Sequence, residues 1–341
     1  MSELSRRMFF VIGPPRSGTT LLMRMLNVHD DIYTRPEPHL LTPLAHLGYY
    51  GYVDKAPYDP FQASESVKQF VADLPAGERD YLDALRAYSD TMYGRMLGKS
   101  NKRYFLDKTP AYGLILPFLA KLYPDAVYVI LTRHPFAVFS SYAKSFFDND
   151  WDAAYRFNPV LERYVPAMAS FLQKRPVERL YHVRYESLVA DPHTELRNIC
   201  ALADLPYHDD LVEYQRKAVE GQGLGDPIGV GENERPTTAS VNKWAREVVG
   251  MPERIALLER MVAQLSEADL ATWGHDRASL WHALEGVDPE QAKSVQQKAK
   301  KWDRHHLERR LLLTLRRDIH HNALGRALQR VRFYCDVLLR E

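Results

Sequence analysis

Apolar residues along this chain gather in short unbroken runs, and stretches of helical periodicity lie between them. Met8 to Ile12 is such a run, closed by Gly13-Pro14-Pro15, and it predicts a buried strand; Thr19 to Leu26 continues with helix formers. A second run, Ala126 to Leu131, follows a Pro-Asp turn and stops at Thr132-Arg133-His134-Pro135, after which Phe136 to Phe147 reads as a helix. A third strand is predicted over Leu180 to Tyr185. It leads through Glu186 to Ala190 into a helix whose N-cap would be Asp191, with Pro192 at the first helical position. Ser64 to Leu97 and Asp150 to Gln173 also read as helical, and no internal repeat is visible. Strands alternating with helices predict an α/β fold, a mainly parallel sheet flanked by helices, with functional groups gathered at the carboxyl ends of the strands.

The pattern changes late in the chain. Gly221 to Pro236 is rich in Gly and Pro and is expected to be a loop. From Pro289 to Glu341 there are thirteen Lys/Arg against six Asp/Glu, and Leu324, Leu328, Val331, Cys335 and Leu338 step by four and three. Residues 1–288 are therefore expected to form one α/β domain, and 289–341 a basic amphipathic helical extension. That extension would pack on the core or on a second copy, giving a homo-oligomer, or dock on an acidic partner such as a carrier protein. The whole chain is balanced, 45 Lys+Arg against 44 Asp+Glu, so no global field favours nucleic acid and any anion site must be local. Cys200 and Cys335 are too few for a disulfide framework or a zinc site, which points to a reducing, cytoplasmic compartment. The His305-His306 and His320-His321 pairs lack companion ligands, so no metal is expected, and no apolar run reaches membrane-spanning length.

The first strand-to-helix junction carries the chemistry. Gly13-Pro14-Pro15-Arg16-Ser17-Gly18-Thr19-Thr20 has the G-x-x-x-x-G spacing of a phosphate loop, in which backbone N–H groups and a helix N-terminus converge on an anion. A nucleoside triphosphatase needs Lys after the second glycine. Here the residue is Thr19, and the cation has moved upstream to Arg16. The second strand ends in Thr132-Arg133, where such an enzyme would want an acidic group for magnesium. A P-loop kinase or NTPase is thus the weaker reading, and a non-catalytic module that binds adenosine bisphosphate is a third.

Pro15-Arg16-Ser17-Gly18-Thr19-Thr20-Leu21-Leu22 resembles the 5'-phosphosulfate loop of sulfotransferases dependent on 3'-phosphoadenosine-5'-phosphosulfate (PAPS), in the form shared by tyrosylprotein sulfotransferases and many bacterial enzymes. Arg133 followed eight residues later by Ser141 resembles the 3'-phosphate motif of that family, although many relatives carry Asp where this chain has His134. The resemblance extends to Tyr185-Glu186-Ser187-Leu188, whose tyrosine would line the adenine pocket, and to Lys243-Trp244, whose lysine would meet phosphate. It implies PAPS as co-substrate, adenosine 3',5'-bisphosphate (PAP) as product, and Arg16, Ser17, Gly18, Thr19, Thr20, Arg133, Ser141, Tyr185 and Lys243 as the residues that bind them.

On the acceptor side, Glu37 lies twenty-one residues after Arg16, the distance of the catalytic base in tyrosylprotein sulfotransferases. Pro36-Glu37-Pro38-His39-Leu40-Leu41 also matches the Pro-Glu-x-His-Leu-Leu of the curacin and olefin-synthase sulfotransferase domains. Either Glu37 or His39 could take the proton of an attacking hydroxyl, or they could share the work. Lys108, in Asp107-Lys108-Thr109-Pro110, and Arg16 would hold charge on the transferred group. Gly223-Leu224-Gly225-Asp226-Pro227 resembles a segment of the same synthase domains, which tilts the expected acceptor toward a hydroxylated acyl, polyketide or lipid chain and the partner toward an acyl carrier protein. Ile228 departs from that segment's pattern.

Overall fold

The computed structural model describes residues 3–51, 60–217, 234–287 and 331. Five parallel strands form its centre: β1 (Met8–Ile12), β2 (Ile32–Pro36), β3 (Tyr104–Lys108), β4 (Val127–Thr132) and β5 (Leu180–Arg184), in the spatial order β2-β3-β1-β4-β5. The helices of the first half are α1 (Thr19–Val28), α2 (Leu41–Leu44), α3 (Pro60–Ala72), α4 (Glu78–Gly98), α5 (Leu116–Leu122) and α6 (Pro135–Phe147). Then come α7 (Trp151–Phe157), α8 (Val160–Lys174), α9 (Tyr185–Ala190) and α10 (Pro192–Leu202). After the break in the described residues, α11 (Lys243–Val248), α12 (Pro252–Ala263), α13 (Glu267–Thr272) and α14 (His282–Glu285) follow.

Alternation along each strand sorts side chains onto two faces. Met8, Phe10 and Ile12 of β1 join one apolar cluster with residues of α5, α6 and α8, whereas Phe9 and Val11 join the other with Leu22 and Leu26 of α1 and Leu196 and Ile199 of α10. All five residues of β1 are fully buried, which is why its sequence reads as a continuous apolar run. No helix among the described residues is long and apolar enough to cross a membrane.

The parallel α/β architecture agrees with the sequence reading, but β2 and β3 escape it. Both strands begin apolar and turn polar before they end, at Thr34-Arg35 in β2 and Asp107-Lys108 in β3, so neither shows the unbroken run that marked the others. The stretch 64–97 is two helices separated near Gly77, and 150–173 is two separated at Asn158-Pro159. Tyr185, expected to end the third strand, and Glu186 to Ala190, expected to be a lead-in, together form a helix, and Asp191 then caps α10 by accepting the Thr194 N–H at 3.1 Å. The extension 289–341 lies outside the described residues apart from Val331, as does Gly223–Pro227.

Strand order fixes where a ligand can bind. The chain leaving β1 moves outward to β2, and the chain leaving β4 moves the opposite way to β5. Helix α1 covers one face and α6 the other. The carboxyl ends of β1 and β4 therefore border a crevice at a topological switch point, the usual ligand position of open α/β sheets.

Candidate active site

The loop between β1 and α1 is bent too tightly for ordinary side chains. A Cβ on Gly13 would lie 2.6 Å from the Leu131 carbonyl oxygen and 2.8 Å from Thr19 Cγ2. The Ser17 N–H donates to the Pro14 oxygen at 3.1 Å to close the turn, and its side chain is fully buried beneath the loop. Ser17 thus builds the loop and does not border the cleft above it. Arg16 takes a left-handed φ of 73°, strained for a residue with a Cβ, and Gly18 one of 105°. That backbone carries the Arg16 side chain across to α6, where its Nε donates to Ser141 Oγ at 3.2 Å. Thr19 and Thr20 open α1, whose first N–H groups have no partner within the helix and face an anion favourably.

Arg133 stands at the end of β4, opposite the loop. Its Nη1 donates to the Arg16 carbonyl at 3.0 Å and its Nη2 to the Ser240 carbonyl at 2.7 Å, while its guanidinium carbon lies 4.3 Å from the centre of the Tyr185 ring. Tyr185 also presses on the loop, since a Cβ on Gly18 would sit 2.4 Å from Tyr185 Cδ2. The junction after β4 is held by Glu186, whose Oε1 accepts the His134 N–H at 2.9 Å, and by the His134 ring, stacked on Trp244 with centroids 4.9 Å apart. Burial pushes the His134 imidazole down to about 3, with His275 adding to the effect, so it is neutral at ordinary pH.

Arg16, Gly18, Thr19, Thr20, Arg133, Ser141, Tyr185 and Lys243 all border one open cleft of about 210 Å³. Of the residues expected to bind a nucleotide only Ser17 is missing from its walls. The cleft also contains Lys144 and Glu247, which the sequence reading did not single out; Lys144 Nζ donates to Glu247 Oε1 at 2.7 Å, and Ser140 Oγ donates to the other oxygen. Lys144 follows Ser141 by three residues on α6, one helical turn, and that spacing was the available signal.

Glu37, His39 and Lys108 lie on the other side of β1, at the ends of β2 and β3, and border no part of this cleft. Parallel register pairs Arg35 with Asp107 and Pro36 with Lys108, so Glu37 is the first residue beyond the sheet. Lys108 Nζ donates to Glu37 Oε1, and His39 Nε2 faces the other carboxylate oxygen at 3.7 Å. The Lys108 side chain is 2% exposed, Glu37 16% and His39 41%, so solvent access rises along the chain of three. A buried ammonium needs such a partner, because an unpaired charge in the interior costs several kcal/mol, roughly 3–5 for breaking a buried pair. The arrangement offers a fixed cation, a carboxylate with one oxygen uncommitted to the lysine, and an imidazole open to solvent. Such a set can accept a proton and hold negative charge.

The chain is 27% identical over 332 residues to the nodulation protein NoeE of Sinorhizobium fredii, covering 86% of this chain and 73% of that one. It is 21% identical over 272 residues to protein-tyrosine sulfotransferase 1 of Danio rerio, covering 76% and 71%. Among solved structures it resembles the sulfotransferase domain of the Synechococcus PCC 7002 olefin synthase, at 25% identity and a TM-score of 0.50, over 76% of this chain and 96% of that domain. The profile of the sulfotransferase family matches residues 9–209, from β1 to beyond α10, which is more than half of the sequence, and the chain belongs to that family of sulfuryl-transferring enzymes.

Proposed function

We propose that the protein transfers the sulfuryl group of PAPS to an acceptor hydroxyl without a metal ion. The observation that carries this reading is the cleft at the β1–β4 switch point, where a phosphate loop without its lysine meets Arg133 and Ser141. The residues present suit a nucleotide with two separated anionic groups. The loop and the start of α1 provide backbone N–H groups and Arg16 for one, and Arg133, Ser141 and Lys243 provide charge and hydroxyl for the other, with Tyr185 offering a ring face between them. Among the described residues the buried Arg133 Nε has no hydrogen-bond partner, and a bound anion would satisfy that donor. When bound, PAPS would supply the sulfuryl group, whose bond to the 5'-phosphate oxygen breaks as the acceptor oxygen bonds to sulfur.

Glu37 would take the acceptor's proton on the oxygen that Lys108 leaves uncommitted, with His39 beside it, while Lys108 and Arg16 hold the charge that develops on the departing side. Thr19 in place of lysine weighs against nucleoside triphosphate chemistry, and the proximity of base and cation weighs against a module that only binds. The resemblance of Gly223-Leu224-Gly225-Asp226-Pro227 to a segment of the curacin and olefin-synthase domains supports a hydroxylated acyl chain as acceptor, free or on a carrier protein. PAP should raise the melting temperature without magnesium, and adenosine 5'-monophosphate at the same concentration should raise it less. Equal stabilisation by the two removes the second anion site from the reading. Turnover of PAPS should appear on a panel of hydroxyacyl, lipid and tyrosyl-peptide acceptors. Glu37→Gln should then lose about a hundredfold or more and His39→Asn less.

A further inference from the structure

Next to Lys108 on β3 lies a second buried charge that the transfer reaction does not use. Asp107 is fully buried, and three hydroxyl groups donate to it: Tyr93 to Oδ2 at 2.6 Å, Tyr112 to Oδ2 at 3.0 Å and Thr109 to Oδ1 at 2.8 Å. Burial nevertheless raises its pKa above the ordinary carboxylate value. A core chosen for stability alone would be served as well by apolar side chains at this position. The Tyr112 oxygen has a further partner, because it accepts the Leu41 N–H at 3.0 Å. Leu41 opens α2 and closes the segment that carries Glu37 and His39. Within that segment His39 has a left-handed φ of 52°, a conformation that costs on the order of 1 kcal/mol or more and must be imposed from outside.

Sheet pairing ends at Pro36 opposite Lys108, so the ladder does not position Glu37. Two contacts take over: Lys108 grips the Glu37 carboxylate, and Tyr112 grips the far end of the segment at Leu41. Since Tyr112 is itself fastened to Asp107, the neighbour of Lys108, a single phenol oxygen sets the span between the strand end and the returning segment. We propose that Tyr112, held by Asp107, is a positioning residue that fixes Glu37 and His39 relative to Lys108, and this rests on the reading of Glu37 and Lys108 as the transfer machinery.

The test compares Tyr112→Phe with Tyr93→Phe, which removes a hydroxyl from the same carboxylate and from its 3.5 Å contact with the Tyr112 oxygen but leaves the Tyr112 bond to the Leu41 N–H in place. Tyr112→Phe should lower kcat about ten- to a hundredfold, the scale of a small misplacement of reacting groups, while KM for PAPS and the affinity for PAP stay within about twofold. Tyr93→Phe should keep kcat within about threefold even if its melting temperature falls as far. Unchanged kcat in Tyr112→Phe overturns the proposal, and so does an equal fall in both variants, which would make the network structural only. If Tyr112→Phe does not fold, Asp107→Asn takes its place, with the same kcat loss expected at intact PAP affinity and a normal kcat overturning the idea. Glu37→Gln measured alongside separates the two levels: if it turns over normally, the reading of Glu37 as base fails, whatever Tyr112→Phe shows.

Discussion

Acidification from pH 7 to pH 5 should cost this protein several kcal/mol of stability, and the structure identifies the side chains responsible. His134 is 8% exposed, stacked on Trp244, and burial together with the neighbouring His275 pushes its pKa from the ordinary 6.5 to about 3. His182 meets Thr132 Oγ1 through its Nε2 at 2.8 Å, and burial with the nearby Arg184 brings it to about 4. Both rings stay neutral in the fold at pH 5, whereas in the unfolded chain they are protonated below 6.5. The unfolded state thus binds more protons across this window, so stability rises with pH and is lost as pH falls. For one such histidine the loss between pH 7 and pH 5 is about 2 kcal/mol, and any folded pKa below about 4 gives nearly the same figure. The two together come to about 4 kcal/mol, a large share of the roughly 5–15 kcal/mol of a typical domain.

Urea titrations at pH 5, 6 and 7 would measure this directly, in a range where ordinary carboxylates remain ionised. His134→Phe keeps an aromatic ring against Trp244 but cannot take up a proton. Its stability should fall by about 2 kcal/mol less than that of the unmodified protein over the same interval. A variant whose pH dependence parallels that of the parent would mean that His134 is protonated, or solvated, in the fold, and the argument from its burial would be wrong.

Three other perturbations bear on the site. Gly18→Ala places a Cβ 2.4 Å from Tyr185 at a φ of 105°, so urea titration should register a loss of about 1–3 kcal/mol and calorimetry a weaker hold on PAP; unchanged values in both would mean the loop is softer than its geometry implies. Arg133→Ala should weaken PAP binding by about 1.5–3 kcal/mol, read by calorimetry, and an unaltered affinity in the folded variant would take the second anion site away from Arg133. Lys108→Met strands the Glu37 carboxylate and should destabilise by about 3 kcal/mol, part of which Glu37→Gln in the same chain should restore; additive losses would show that the pair is not coupled.

The residues that gather at the β1–β4 cleft were legible because they are written locally. The phosphate loop is one contiguous string, and Arg133 with Ser141 sits at a fixed distance along a single strand-to-helix junction. The acceptor side was legible as residue types and not as geometry. Glu37, His39 and Lys108 could be named, but their pairing depends on β2 lying beside β3, and both strands were missed because they turn polar before they end. Those polar endings are what bring the functional groups to the edge of the sheet, so the feature that obscured the strands is the one that makes them useful. The Asp107 network was visible only in part: Asp107 and Thr109 share the string around Lys108, but Tyr93 from α4 and Tyr112 from the turn before α5 join them only in three dimensions. Ser17 carries a structural task that the motif did not reveal, since its N–H closes the turn onto the Pro14 oxygen.

The sheet divides the molecule into two apolar compartments, and the cleft takes walls from both, α1 and Tyr185 from one and α6 and α11 from the other. Leu22 and Leu26 anchor α1 in one, and Val138 and Phe139 anchor α6 in the other. Damage to one compartment should therefore spoil one wall while leaving its opposite intact, so the binding site works as a conjunction of two separately built halves. Substitutions distant from any ligand would then fall into two groups that impair the loop end or the Ser141 end of the cleft.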